Sequence, residues 1–361
     1  MKSRTNTTSR AWIAAVTGTA LGVAGLAVIA MPAGAGEAPE LPEISAADLV
    51  ESALSAEPAA FAGTVGMDNQ LGLPDIPGVP LATFDSAQVH HDGDGRARVG
   101  VQQGSSEYTA VTDDDGVWTY DSAKNTATRY TMPEAASEQR KHAGESELSD
   151  PADAARTIID ALAETSTISI DGTARVADRP VYELVLTPKP SERTLLREVK
   201  VSIDYDTRLP LKFEVLPNGS PEPVVSVGFT EFTVGEQPES LFDFSPPKGA
   251  KVVEEDGSER AEAAKEHGGE AEAFGEGLNV VGDGWDTVLT GTLPEEMPSS
   301  GRGGQSDPQA MLEQLGKRVE GEFGAGYVIT TRAGTALLTD DGRCAVGAVP
   351  QQVLIEALEE Q

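Results

Sequence analysis

Apolar residues return at every second position through much of the first 250 residues, the period of a half-buried strand. The runs predict strands near 61–69, 85–91, 95–102, 106–112, 116–121 and 126–132. In "REVKVSIDY", 197–205, Val199, Val201, Ile203 and Tyr205 alternate with Glu198, Lys200, Ser202 and Asp204, which predicts one dry face and one wet face. The same pattern recurs at Tyr182, Leu184 and Leu186, at Leu211, Phe213 and Val215, and at Val225, Val227 and Phe229. Together these runs predict one antiparallel sheet folded round on itself.

Two stretches break into the helical period. Ser45 with Asp48 forms a capping box ahead of Ala46, Leu49, Val50, Ala53 and Leu54, which share one helix face. Asp150 as cap, Pro151 in the first turn and Asp153 near the positive end open a second helix with Ala155, Ile158, Ile159 and Leu162 on one side. The insert "LGLPDIPGVPL", 71–81, cannot be a central strand, because its three prolines lack the donors a ladder needs. Leu73, Ile76 and Val79 make it apolar all the same, so it is expected to lie over the sheet as a lid.

"DGVWTYDSAKNTATRYTM", 115–132, places Trp118 and Tyr120 on the same face of one strand. Alternation leaves two readings open: the pair walls an apolar cavity, or it packs under covering chain as ordinary core. Beyond the sheet, 254–277 is rich in Glu, Ala and Gly without an apolar face and reads as an acidic linker. A small α+β module, 278–361, follows. Its elements are a strand in "GWDTVLTGTL" (284–293), a helix opened by Asp307 and Pro308 and running through Met311, Leu312, Leu315 and Val319, strands near 326–332, 335–339 and 343–348, and a last helix carrying Val353, Leu354, Ala357 and Leu358.

Charge narrows the partners. The 361 residues hold 59 acidic against 27 basic side chains, a formal charge of -32, so the field repels phosphate backbones, nucleic acid is not expected as a partner, and no polybasic patch is left to hold an anionic lipid surface. Residues 1–35 read as an export signal: Lys2, Arg4 and Arg10 precede an uncharged run from Ala11 to Met31, and Ala33 and Ala35 stand in A-x-A spacing. Cleavage after Ala35 is expected, which leaves a spacer at 36–44; the 21-residue run is also long enough to serve as an N-terminal anchor. Either outcome puts the body outside the cytoplasmic membrane. Cys344 is the single cysteine and reads as a small buried side chain.

The chemical inventory points away from catalysis and from bound metal or cofactor. His90 and His91 are strand neighbours that face opposite ways, and His142 and His267 sit in polar connections. No nucleophile-elbow, zinc-protease or phosphate-loop pattern is present. "HDGDG" (91–95), "TDDDG" (112–116) and "NG" (218–219) read as hairpin turns, since the Asp-rich pair lacks the twelve-residue calcium-loop spacing.

The order of signals resembles the outer-membrane lipoprotein carrier (LolA) superfamily, in particular its actinobacterial secreted branch related to the RseB or MucB sensors. The phrases that carry the resemblance are "FAGTV" (61–65), "DGVWTYDSAKNTATRY" (115–130), "RPVYELVLTPK" (179–189), "VSIDYDTRLPLKFEV" (201–215) and "SLFDFSPPKGAKV" (240–252), over roughly 46–253. The resemblance implies a mainly β, half-open antiparallel barrel at 45–253 with a helical plug, an apolar concavity for acyl chains or lipoproteins, and no catalytic residues. The gating arginine of the proteobacterial carriers has two possible places here, Arg96 and Arg98. The expected pocket comprises Trp118, Tyr120, Tyr182, Leu184, Leu186, Val201, Ile203, Phe213, Val215, Val227 and Phe229. The function expected is a non-enzymatic lipid or lipoprotein carrier of the cell envelope. The alternative, suggested by the extra module, is an RseB-like sensor that binds a membrane anti-sigma factor.

Overall fold

A computed structural model describes residues 38–57, 59–71, 84–113, 116–131, 151–256, 278–292 and 316–359. The lid residues Leu73, Ile76 and Val79, the export segment, the cap Asp150 and the bulk of the acidic linker lie outside them.

Among the described residues the chain is mainly β, and its larger sheet is curved without closing into a barrel. That sheet comprises β1 (Phe61–Asn69), β2 (Ser86–His91), β3 (Ala97–Gln103), β4 (Ser106–Thr112), β5 (Gly116–Asp121), β6 (Thr126–Thr131), β7 (Ser166–Val176), β8 (Arg179–Pro188), β9 (Leu196–Asp204), β10 (Pro210–Pro217), β11 (Val225–Val234) and β12 (Lys251–Asp256). Their order is β12-β6-β5-β4-β3-β2-β1-β11-β10-β9-β8-β7. Two neighbouring meanders are thus zipped together where β1 meets β11.

Helix α1 (Ala46–Leu54) is capped as its sequence requires: Asp48 N–H donates to Ser45 Oγ at 3.1 Å. Leu49, wholly buried, is driven into Tyr182, Leu184 and Ile203. Helix α2 (Pro151–Thr165) packs beside α1 and leads straight into β7. A strap of residues 39–44 runs alongside, held where Tyr182 Oη donates to the Pro42 carbonyl at 2.8 Å and Thr173 Oγ1 to that of Pro39 at 2.6 Å.

Several expectations need correction. β7 was not legible as a strand, and β12 takes residues 254–256 from the expected linker. β12 also runs parallel to β6, so the sheet is not antiparallel throughout. The wet face expected of 197–205 is buried at its end: Ser202 is 2% exposed and Asp204 not at all. Asp204 accepts two bonds from Arg179, at 2.9 and 2.8 Å, and others from the Thr207 amide and hydroxyl. Further along this face Glu183, Lys200, Lys212 and Glu214 form a half-buried charged ladder, and burial pushes the Glu183 carboxyl above its ordinary value.

At β1 the pairing slips between Thr64 and Val65, and Phe229 is folded against Gly63. A Cβ at Gly63 would lie 2.5 Å from the Phe229 ring and 2.8 Å from the Glu231 carbonyl oxygen. Gly63→Ala is therefore expected to cost about 1–3 kcal/mol of stability, as overpacking does elsewhere, and urea unfolding followed by circular dichroism checks it.

The second sheet contains β13 (Leu278–Val281), β14 (Val288–Thr292), β15 (Lys317–Gly321), β16 (Gly324–Thr330), β17 (Thr335–Thr339) and β18 (Arg343–Gly347), ordered β13-β14-β18-β17-β16-β15. Helix α3 (Gln351–Glu359) buries Val353, Leu354, Ala357 and Leu358 on Val288, Leu337 and Ala345. Val319, expected in a helix, lies in β15; residues 307–315 of that helix fall outside the described ones. Gly284–Asp286, expected as strand, form a 3-10 turn. Cys344 is half-buried on β18, and burial raises its thiol pKa.

The two sheets touch through the β8–β9 loop and the turn before β14. Trp285 Nε1 donates to the buried Ser166 Oγ at 2.8 Å, and Leu195 N–H and Thr194 Oγ1 both donate to the Ala348 carbonyl at 2.8 Å. Arg193 pairs with Glu356 and, at 3.7 Å, with Asp286.

Candidate functional site: the apolar face of the open sheet

Strand register decides which of the expected pocket residues share a surface. Tyr182 lies opposite Ile203 and Leu184 opposite Val201; Val201 faces Phe213, Phe213 faces Val227, and Val227 faces Met67. Directly paired residues point to the same side of a sheet. One apolar row therefore crosses β8, β9, β10, β11 and β1, flanked by Leu186, Val215 and Phe229 on the same side. It continues through Val65, Ala87 and Val101 on β1 to β3, and Phe84 is buried upon it. These last residues were not among those expected, although the alternation of β1 to β3 contains them.

Cover on this face is uneven. Tyr182, Leu184 and Ile203 lie beneath α1, while Leu186, Val201, Phe213, Val215 and Phe229 stay half-buried. A cleft opens at each end of α1. One, of about 380 Å³, separates the strap at Leu41–Ile44 from Ile170, Thr173 and Tyr182. The other, of about 250 Å³, lies between Ala53, Ala56 and Ala59 on one side and Phe61, Leu209 and Arg208 on the other. Only Tyr182 of the expected pocket set lines either.

Trp118 and Tyr120 belong elsewhere. Val101 of the apolar row pairs with Tyr108, whereas Trp118 pairs with Val111 and Tyr120 with Thr109, the residues of β4 that point the other way. On that reverse side the chain from Gln237 to Gly249 crosses β2 to β6. Gln237 Oε1 meets His90 Nδ1 at 3.3 Å, Arg98 donates to the Leu241 carbonyl at 3.2 Å, and Asn125 donates to that of Gly249 at 3.0 Å. Phe244 packs on Trp118 and Tyr120 at ring separations of 5.4 and 6.4 Å, and Arg129 covers Trp118. The tryptophan and tyrosine are half-buried under a crossing segment on the reverse side.

Arg96 and Arg98 are also placed by this segment. Arg96 is bound to Asp92 at 2.6 Å and stacks on Phe242, and with Arg98 it serves the reverse side, away from the apolar row. Neither stands at an opening of the apolar face. His90 and His91 diverge as strand neighbours must, towards Gln237 and the Ala59 carbonyl respectively. Among the described residues no group of three or more His, Cys, Asp or Glu is placed to hold a metal ion, and no helix is long and apolar enough to cross a membrane.

An open, curved sheet with two helices laid on its apolar face, and a second small sheet docked beside it, defines the architectural class. Residues 83–250 match the family model described as the MucB/RseB N-terminal domain, in agreement with the resemblance seen in the sequence. No curated protein matches the chain. Among solved structures, the MucA/MucB complex of Pseudomonas aeruginosa is similar at 18% identity, covering 87% of this chain and 96% of that one with a TM-score of 0.42. The LolA superfamily protein NE2245 of Nitrosomonas europaea is 12% identical, covering 56% of this chain and 99% of that one, with a TM-score of 0.22. The lipoprotein LppX of Mycobacterium tuberculosis is 12% identical over 53% of this chain and 93% of that one, with a TM-score of 0.28.

Proposed function

We propose that this protein is a non-enzymatic, extracytoplasmic binding protein that holds an acyl chain, free or on a lipoprotein, against the apolar face of its open sheet. The observation that carries the reading is the row Leu184, Val201, Phe213 and Val227, continuous across four strands and only partly roofed by α1. Val201 and Phe213 at the middle of this row are half-buried, and such apolar surface is what an alkyl chain covers, at roughly 25 cal/mol for each Å² removed from water. Titration with a fluorescent fatty acid tests it: saturable enhancement, suppressed by a long-chain competitor, supports binding, and a flat response refutes it.

A second reading is favoured by one specific observation, the MucB/RseB domain match together with the docked second sheet. In that reading the protein is an envelope sensor whose partner is the outer segment of a membrane anti-sigma factor, as MucB is found with MucA. Capture from a membrane extract separates the two: an anti-sigma factor retained at stoichiometric amounts supports the sensor, and lipids without such a protein support the carrier.

A further inference from the structure

The cleft at the C-terminal end of α1 contains a cation, Arg208, that forms no ion pair among the described residues. Arg208 lies in the turn between β9 and β10 with φ of 61°, a left-handed conformation that costs a non-glycine residue about 1–2 kcal/mol. Its Nη1 is buried and meets no hydrogen-bond acceptor, and among the described residues its guanidinium forms no ion pair. The nearby carboxylates of Asp204 and Asp206 are both taken by Arg179, each at 2.8 Å. The guanidinium is instead fixed over the rings of Tyr182 and Tyr205, 5.6 and 5.4 Å from their centroids, which recovers part of its desolvation.

The surroundings specify what would complete it. Ala53, Phe61 and Leu209 make the cleft apolar around Arg208. Phe61 meets Phe229 edge to face at 6.0 Å, and Phe229 belongs to the apolar cluster with Phe213 and Val227. The Phe61 wall of the cleft therefore packs directly against the row across the sheet. Glu57 also lines it, and its charge disfavours a doubly charged head.

We propose that Arg208 binds the carboxylate of a single-chain amphiphile, with the cleft-facing edge of its guanidinium donating to the head group and the alkyl chain running past Phe61 and Phe229 onto the sheet. This rests on the acyl-binding reading and adds to it a polarity for the ligand: an ionised carboxylate at the α1 end, the chain inside. A planar guanidinium suits a planar carboxylate, and such charged hydrogen bonds are stronger than neutral ones.

The test compares cis-parinaric acid with its methyl ester by fluorescence titration. Wild type is expected to bind the acid about tenfold more tightly, the value of one charged hydrogen bond. Arg208→Gln is expected to bring the two within about twofold of each other while the ester's affinity is unchanged. Arg208→Asn, which tolerates the left-handed backbone, repeats the measurement should the glutamine variant not fold. Equal affinities for acid and ester in wild type, or a preference retained in both variants, would overturn the carboxylate site and leave acyl binding standing. Failure of both probes to bind wild type would remove the acyl-binding reading and this site with it.

Discussion

Phe213→Asp is expected to abolish acyl-chain binding, weakening it by about a hundredfold or more, because a carboxylate set in the middle of the apolar row must be desolvated beneath the ligand. Phe213 lies between Val201 and Val227 and is half-buried, so the new charge reaches water in the free protein. The domain is expected to remain folded with a loss of about 3 kcal/mol, the cost of removing a large apolar side chain. Leu184→Asp is the less informative substitution, since Leu184 is 7% exposed beneath α1 and a charge there unfolds the domain. Val252→Asp supplies the control: this side chain is 51% exposed on β12, and the substitution changes neither stability nor binding. Probe titration alongside circular dichroism separates the three variants. Full affinity in a folded Phe213→Asp protein would move the ligand off this face.

The other large effect is on stability. Arg179→Met is expected to cost about 3–5 kcal/mol, because it strands the charge of Asp204, which is wholly buried. In the native protein burial acts to raise the Asp204 pKa, but the bonds from Arg179 and Thr207 outweigh it and hold the carboxyl below its ordinary value. A carboxylate with a depressed folded pKa adds stability that is present above its unfolded pKa and lost as pH falls through the folded one. Wild type thus gains nothing from Asp204 on acidification. Without Arg179 burial dominates, the folded pKa lies above the unfolded one, and the sign reverses: the variant recovers stability as pH falls from 7 towards 5. Urea midpoints at several pH values read this directly, and parallel profiles for the two proteins would show that the ion pair does not carry the corner of the sheet.

What the sequence revealed follows from what each element depends on. The period-2 runs of β2 to β6 and β9 are local, so their extents match within a residue or two, the alternating sets of β8, β10 and β11 fall inside longer strands, and the Ser45 cap likewise marks α1. β7 escaped because "STISIDGTARV" carries only scattered apolar residues, being an edge strand with a slip in pairing between Ile170 and Thr173. β12 escaped because its strand partner among the described residues is β6, more than a hundred residues earlier, and because "KVVEED" runs into a glutamate-rich stretch. Neither signal is local.

The site was legible in composition and not in orientation. Alternation showed that Trp118 and Tyr120 face the same way, but choosing between two sides of a sheet requires the path of the covering chain, here Phe242 and Phe244 on the reverse side. For the same reason Asp204 looked solvent-facing: its partners come from Arg179 at the start of β8 and from the turn at Thr207. Arg208 gave no signal at all, since a turn arginine becomes notable only once its neighbours' acids are seen to be taken.

The central claim is that the apolar face is a ligand surface, and native mass spectrometry of the protein purified from its own envelope tests it most directly. The account predicts a folded protein carrying one acyl-containing adduct, released by organic solvent and lost from Phe213→Asp. A spectrum showing only the bare polypeptide, from a preparation that also fails to take up added fatty acid, would contradict it.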